Sequence, residues 1–238
     1  MRLTKLSLAC LVLGGSVLLT ACGGGGGGGS GSALTLNGTA AVGAPLAGPV
    51  SATCKTGTGT ATSNADGSFT VVVNNGVGPC LLSITANGVT MSSITSGSGA
   101  TQTANITPMT NMLVNYLRSV PGMEAADPAA WFALPSVRAL LADTAALTAR
   151  VVNDFIPALK ALMPAGTTLS VTSASFLSTA FVASPTGSST DADLEKLKTA
   201  GVVTSTGAPT AATTASLKTA ASNDTAVVTP TGATGAGS

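Results

Sequence analysis

The chain has 238 residues, ten basic against nine acidic side chains and no histidine. Charged residues make up only 8% of it, so there is no basic patch to neutralise phosphates, and nucleic-acid binding has no electrostatic footprint. The missing imidazole removes the commonest general base, Ser-His-Asp and Cys-His catalytic sets, and His-ligated zinc.

Arg2 and Lys5 precede an apolar run from Leu6 to Leu19 that is broken only by small residues. A positive start, a short apolar core and a small-residue exit describe a secretory signal peptide over residues 1–21, too short to span a bilayer comfortably. The exit is Leu19-Thr20-Ala21-Cys22, which resembles the lipobox of bacterial lipoproteins. The resemblance implies a diacylglyceryl group on the Cys22 sulfur, cleavage before Cys22 and acylation of the new amino terminus. Several acyl chains, at about 0.8 kcal/mol per buried CH₂, then hold the protein to a membrane. The alternative is a plain signal peptide with Cys22 as a spare thiol. Gly23 stands where an aspartate would resemble an inner-membrane retention signal. The resemblance therefore implies a lipid-anchored cell-envelope protein at the outer membrane, facing the periplasm or the cell surface.

Loss of Arg2 and Lys5 with the signal leaves eight basic against nine acidic residues. Beyond Cys22, the cysteines are Cys54 and Cys80, an even pair once Cys22 carries lipid. Their expected disulfide closes a loop of about 27 residues, worth roughly 3.5 kcal/mol in the chain-entropy model. Gly23–Gly29, within residues 22–33, make a flexible tether. They match G-x-G-x-x-G trivially, but no strand precedes them and no helix follows.

Residues 34–106 read as short strands divided by turn residues. The predicted strands are Leu34–Ala41, Val50–Lys55, Gly59–Thr62, Ser68–Val73, Cys80–Ala86, Val89–Ile94 and Thr101–Ile106. Asn87-Gly88 is the strongest hairpin signal, because both turn positions call for positive φ. Gly38, the segment Ala44-Pro45-Leu46-Ala47-Gly48-Pro49-Val50 and the segment Thr62-Ser63-Asn64-Ala65-Asp66-Gly67-Ser68-Phe69-Thr70-Val71 resemble the carboxypeptidase regulatory-like domain. That family implies a transthyretin-like antiparallel β-sandwich of about seven strands. Pro49 departs from the family, which usually has alanine there, and the usual G-x-Y before the later strand is missing.

At Thr107-Pro108 the period changes to helical, with Thr107 as cap and Pro108 in the first turn. Met109, Met112, Leu113, Tyr116 and Leu117 share one face. Asp127-Pro128 opens a short helix carrying Trp131 and Phe132. The longest helix starts at Ser136 and carries Val137, Leu140, Leu141, Thr144, Leu147, Val151 and Phe155, with Pro157 ending or kinking it. Phe176, Leu177, Ala180 and Phe181 suggest another amphipathic piece, and Thr190 caps a helix over 191–200 that Gly201 stops. The helical region thus spans 107–200, and residues 201–238 form a low-complexity, weakly structured tail of Thr, Ala, Ser, Gly and Pro. Val202-Val203 and Val227-Val228 are candidates for strand pairing within it.

The predicted fold class is α+β: the sandwich, the helical region and the tail. Tether, sandwich and helices together resemble lipoproteins of proteobacteria, a likeness that implies no activity. Asp191, Asp193 and Glu195 fall on one short helix, where they are expected to cap and solvate it rather than act as a carboxylate pair. Thr62–Gly67 echoes half of a calcium loop, but Val73 stands where the bidentate glutamate belongs, so a turn is expected. Trp131 is expected in the core. No cofactor or metal motif is present. The expected protein is non-enzymatic, with a structural role, or alternatively a carbohydrate- or peptide-binding module of a larger envelope assembly. Its partners are the membrane, through Cys22, and a protein or glycan.

Overall fold

Ser68–Val73 shows why this part of the chain forms sheets: Phe69, Val71 and Val73 are buried while Thr70 and Val72 face out. The structure, a computed structural model, describes residues 32–184 and 187–224. The signal segment, Cys22, most of the tether and Val227-Val228 lie outside the described residues.

Seven strands, β1 (Leu34–Thr39), β2 (Pro49–Thr56), β3 (Thr58–Thr62), β4 (Ser68–Val73), β5 (Val77–Ala86), β6 (Val89–Ile94) and β7 (Thr101–Thr103), form two sheets. One has the order β4-β1-β7 and the other β3-β2-β5-β6. Leu34, Leu36 and Val71 from the first sheet share an apolar cluster with Val50, Leu82, Ile84 and Met91 from the second. Burying such alternating faces against each other is what holds a pair of sheets together.

The turns follow local chemistry. Asn87 and Gly88 both have positive φ (52° and 76°) and join β5 to β6, with Ala86 opposite Val89. Asp66 turns the chain into β4: its Oδ1 accepts from the Ser68 backbone N–H (2.9 Å) and hydroxyl (2.6 Å).

Two features of the sheets depart from expectation. The arrangement is not wholly antiparallel, because β7 runs parallel to β1. Residues 95–100 carry the chain from β6 in one sheet to β7 in the other, so β7 arrives alongside β1 in the same direction. The regular pairing of β1 and β7 also ends sooner than predicted, continuing only as a bridge between Ala40 and Ile106. The Asn105 side chain intervenes there, taking the Thr39 N–H at 3.2 Å.

β5 and β6 are apolar on both faces for a reason. Leu82 and Ile84 point into the cluster between the sheets, whereas Leu81 and Ile94 join a second cluster built by the helices. The sheet and helical regions therefore share elements and pack as one unit.

α1 (Pro108–Leu117) begins as predicted, with Thr107 and Thr110 forming a reciprocal cap. Its first turn also closes the outer edge of β6. The Ser92 N–H donates to Asn111 Oδ1 (3.1 Å), and the Thr110 hydroxyl donates to the Ser92 carbonyl (3.1 Å). α2 (Pro128–Ala133) is capped by Asp127 and buries Trp131 and Phe132.

The single long helix expected after Pro135 is instead divided. α3 (Pro135–Ala142) stops at Asp143, whose Oδ1 accepts from the Ala145 and Ala146 N–H groups (3.0 Å each) and starts α4 (Thr144–Arg150) afresh. A short carboxylate that can bind nearby N–H groups competes with the helix ladder in this way. A π-helical turn at Val151–Phe155 then leads into α5 (Ile156–Ala161), which contains Pro157. The widened turn, with Ile156 N–H on the Val151 carbonyl, lets the helix run past a proline that lacks a donor. Val137, Leu140, Leu141, Leu147, Val151 and Phe155 still form the buried stripe, while Thr144 is exposed.

Only a single turn, α6 (Ser175–Ser178), forms at the next amphipathic piece, although Phe176, Leu177 and Phe181 are buried. α7 (Ser189–Thr199) is capped by Ser188 rather than Thr190 and ends before Gly201, which has φ 69°.

Residues 201–224 are not the weakly structured stretch that composition suggests. Val203 pairs with Pro209, and Thr210 caps α8 (Ala211–Ser222). Val202, Val203, Leu217 and Ala221 are buried in the helical cluster. The Thr213 hydroxyl ties α8 to the Val202 carbonyl at 2.7 Å. A few well-placed apolar residues suffice, because alanine has little cost in a helix and tertiary packing supplies the rest.

Candidate functional site

Among the residues singled out from sequence, Cys22 lies outside the described residues, whereas Cys54 and Cys80 form a disulfide. They stand directly opposite each other on β2 and β5, with the regular register breaking just after Cys54. Both are buried (4% and 0% exposed), and Cys80 exchanges hydrogen bonds with Thr95, at 2.9 Å to its hydroxyl and 2.9 Å from its N–H. The bridge is enclosed, which suits a staple within one sheet.

The acidic helix differs from its expectation. Asp191 and Asp193 are 3% and 1% exposed, not solvated. Asp193 accepts from the Ser170 N–H (2.9 Å), the Ser170 hydroxyl (2.9 Å), the Val171 N–H (2.8 Å) and Lys196 (3.2 Å). It fastens the 170–171 segment onto α7. A carboxylate saturated by backbone and hydroxyl donors has no lone pair left for proton transfer to a substrate.

Asp191 is different: its Oδ1 is buried without a partner. Burial and the nearby Glu195 carboxylate raise its pKa, against the opposing influence of Lys198 and a Ser184 backbone hydrogen bond. Glu195 itself pairs with Lys198 at 2.9 Å. Spacing put Asp191 one helical turn from Leu194 and Asp193 one turn from Leu197, but their burial comes from Ser170, Val171 and Ser184, which that spacing does not show.

The Thr62–Gly67 stretch forms the expected turn, with Asn64 N–H on the Ser68 carbonyl and Val73 pointing inward, fully buried. Hydrogen bonds from Ser68 hold the exposed Asp66 carboxyl below its usual range.

A cleft of about 640 Å³ lies between α1, the segment 118–126 and α8. Met112, Pro209 and Leu217 give it an apolar lining, while Arg118, Glu124 and Lys218 bring charge to it. Arg118 donates to Asn115 Oδ1 (3.3 Å) and to the carbonyls of Ala125 (3.0 Å) and Ala126 (2.5 Å). Burial lowers its pKa, and Asp127 partly offsets this from a distance. Glu124 accepts from the Gly122 N–H at 2.7 Å. One wall of this cleft is α8, so sequence reasoning that left 201–238 unstructured had no means of finding it.

A second groove of about 420 Å³ lies between β6–β7 and the α4 and α6 region. Thr95, Gln102, Thr103, Thr148, Ser173 and Ser178 give it a neutral, hydroxyl-rich lining. Among the described residues, no group of three or more His, Cys, Asp and Glu could hold a metal ion. No helix among them is long and apolar enough to cross a membrane.

Comparison with known proteins finds no matching family model, no matching curated protein and no matching solved structure.

Proposed function

We propose that this chain is a non-enzymatic, lipid-anchored cell-envelope protein with a structural or binding role, held by acyl chains on Cys22. The observation that carries the reading is the order of a basic start, an apolar core, Leu19-Thr20-Ala21-Cys22 and seven glycines. The Cys54–Cys80 disulfide supports it, because such bonds persist in oxidising compartments outside the cytoplasm. The outer membrane, facing the periplasm or the surface, is the proposed location, from the absence of aspartate at Gly23. The paired sheets are proposed to be a transthyretin-like sandwich of the carboxypeptidase regulatory-like kind, with Gly38, Leu46 and Asp66-Gly67 as the residues that support the likeness.

The test is metabolic labelling with palmitate in a diderm bacterial host. The wild-type chain takes up label and sediments with membranes, and Cys22→Ala loses both. Labelling and membrane association that survive Cys22→Ala overturn the anchor.

A second reading, a binding module of a larger envelope assembly, is favoured by the cleft between α1 and α8. Its volume of about 640 Å³ lies within the roughly 300–1,000 Å³ of small-ligand sites. The lining contains no aromatic side chain. That disfavours a sugar, whose faces are usually stacked on rings, relative to a peptide.

A further inference from the structure

Cations are scarce in this chain, and four of the eight described ones are engaged outside the cleft. Arg150 lies against Asp154 and Asp224, Lys196 against Asp193, Lys198 against Glu195, and Arg138 bonds the Phe132 carbonyl and covers its ring. Lys55 and Lys160 stand apart from the cleft, whereas Arg118 and Lys218 both line it. None of the three groups that accept from Arg118 is a carboxylate. Lys218 is exposed on α8 with neither a hydrogen bond nor an ion pair among the described residues.

Beside these cations the cleft offers Ala125, Ala126 and Pro209 as accessible apolar surface over the buried Met112 and Leu217, with Glu124 as its one lining carboxylate. Two positive groups, one negative group and an apolar lining complement a ligand with a terminal carboxylate, a protonated amine and aliphatic side chains. A nucleotide or an aromatic ligand lacks a ring to stack on, and a purely apolar ligand leaves the charges unanswered.

We propose that the cleft between α1 and α8 binds short peptides with a free terminal carboxylate, which Arg118 and Lys218 receive while aliphatic side chains rest on Ala125, Ala126 and Pro209. This deepens the binding-module reading and is independent of the lipid anchor. Three Arg118 N–H groups are held by Asn115, Ala125 and Ala126 and its Nε is buried, so it offers a ligand one Nη1 N–H and its charge, whereas Lys218 adds a mobile point charge from the rim. Glu124 favours a peptide whose amine stays protonated.

The experiment is an NMR titration of the full chain with the tetrapeptide Ala-Leu-Ala-Leu as the free acid, the same peptide as its C-terminal amide, and dodecanoate. The free acid shifts the amide resonances of Ser119, Thr214 and Lys218, and amidation weakens binding by about tenfold or more, as loss of a charged hydrogen bond requires. Lys218→Ala, at an exposed position, weakens the free acid by roughly two- to fivefold with the remaining spectrum unchanged. Thr214→Trp, also on an exposed position, fills the cleft and abolishes binding.

Equal affinity for acid and amide overturns the proposal, as does binding indifferent to both substitutions. Dodecanoate displacing the peptide at lower concentration overturns the peptide assignment in favour of a fatty acid. None of these failures touches palmitate labelling at Cys22, so the anchor and the cleft stand or fall separately.

Discussion

The side-chain amide of Asn105 donates to the Thr179 carbonyl oxygen at 2.7 Å, from a residue with no solvent exposure. The same group donates to the Phe176 carbonyl (3.2 Å), and its Oδ1 accepts from the Thr39 N–H (3.2 Å). With its backbone N–H on the Leu177 carbonyl (2.8 Å), Asn105 stitches the edge of the three-stranded sheet to the irregular segment 176–179. Asn105→Ala leaves two buried backbone groups and one partly buried group without this partner, so unfolding in urea should show a loss of about 2–4 kcal/mol. Asn37→Ala, which removes a single exposed bond to Thr70 (2.8 Å), should cost less than about 1 kcal/mol. Equal losses at the two positions would show that Asn105 is not the fastening point.

Gly38 is required for a close approach. A Cβ there would overlap the Ala104 carbonyl oxygen and stand 2.6 Å from Phe69 Cζ. Gly38→Ala should destabilise by about 3 kcal/mol or more, because backbone cannot move aside as a side-chain tip can. Gly99→Ala meets nothing closer than the Thr101 carbonyl at 3.6 Å and should change stability by less than about 1 kcal/mol. Thermal melts of the two variants make the comparison.

Removal of the Cys54–Cys80 bridge by paired serine substitutions should lower stability by about 3.5 kcal/mol, since the half-cystines are 26 residues apart and their link restricts the unfolded chain. The folded variant should keep its far-ultraviolet circular dichroism. Denaturant curves with and without reductant provide the measurement, and no difference in the wild-type chain would refute the effect.

Two carboxyls should make stability rise on mild acidification. Asp191 is raised by burial and then by Glu195, and Asp154 by burial and then by Asp224, each above the ordinary 3.8. Below that value both states carry the proton and neither group biases folding. Between 3.8 and the raised folded-state pKa, the native state holds the proton and the unfolded chain does not. Their charged forms therefore oppose folding at neutral pH, and the opposition fades as pH falls through the raised values. Asp66, held low by Ser68, acts in the opposite sense, but its full exposure leaves it screened. Asp191→Asn should leave stability at pH 7 unchanged or higher and should flatten its pH dependence above 3.8, measured by urea titration. Asp193→Asn should lower it by about 1–3 kcal/mol, because donors on Ser170, Val171 and Lys196 lose a charged acceptor.

What could be read from sequence was local. Asn87-Gly88, Asp66-Gly67 and Thr107-Pro108 set their turns or cap through their own φ preferences and side-chain bonds, and strands β4 and β6 begin and end where alternation places them. What escaped depends on partners far along the chain. The burial of Asp191 and Asp193 requires the 170–171 segment and the 182–184 region, and α8 requires a cluster into which Leu217 and Ala221 fit. Asp143 was a charge on a presumed helix until its bonds to Ala145 and Ala146 made it a boundary. The cleft follows from α8, so it was hidden with it. The proposed lipobox is the reverse case, a reading of Leu19–Cys22 from sequence alone that falls outside the described residues.

The Thr110 and Asn111 contacts to Ser92 have a bearing on how molecules of this protein behave when crowded. An open strand margin is a template onto which a neighbouring chain can polymerise, and β6 would be such a margin if α1 did not occupy its outward N–H and carbonyl of Ser92. α1 is itself almost wholly buried, so the Ser92 edge is exposed only when the helical cluster opens with it. Strand pairing between neighbouring molecules along this part of β6 therefore waits on opening of the core rather than on fraying at the surface.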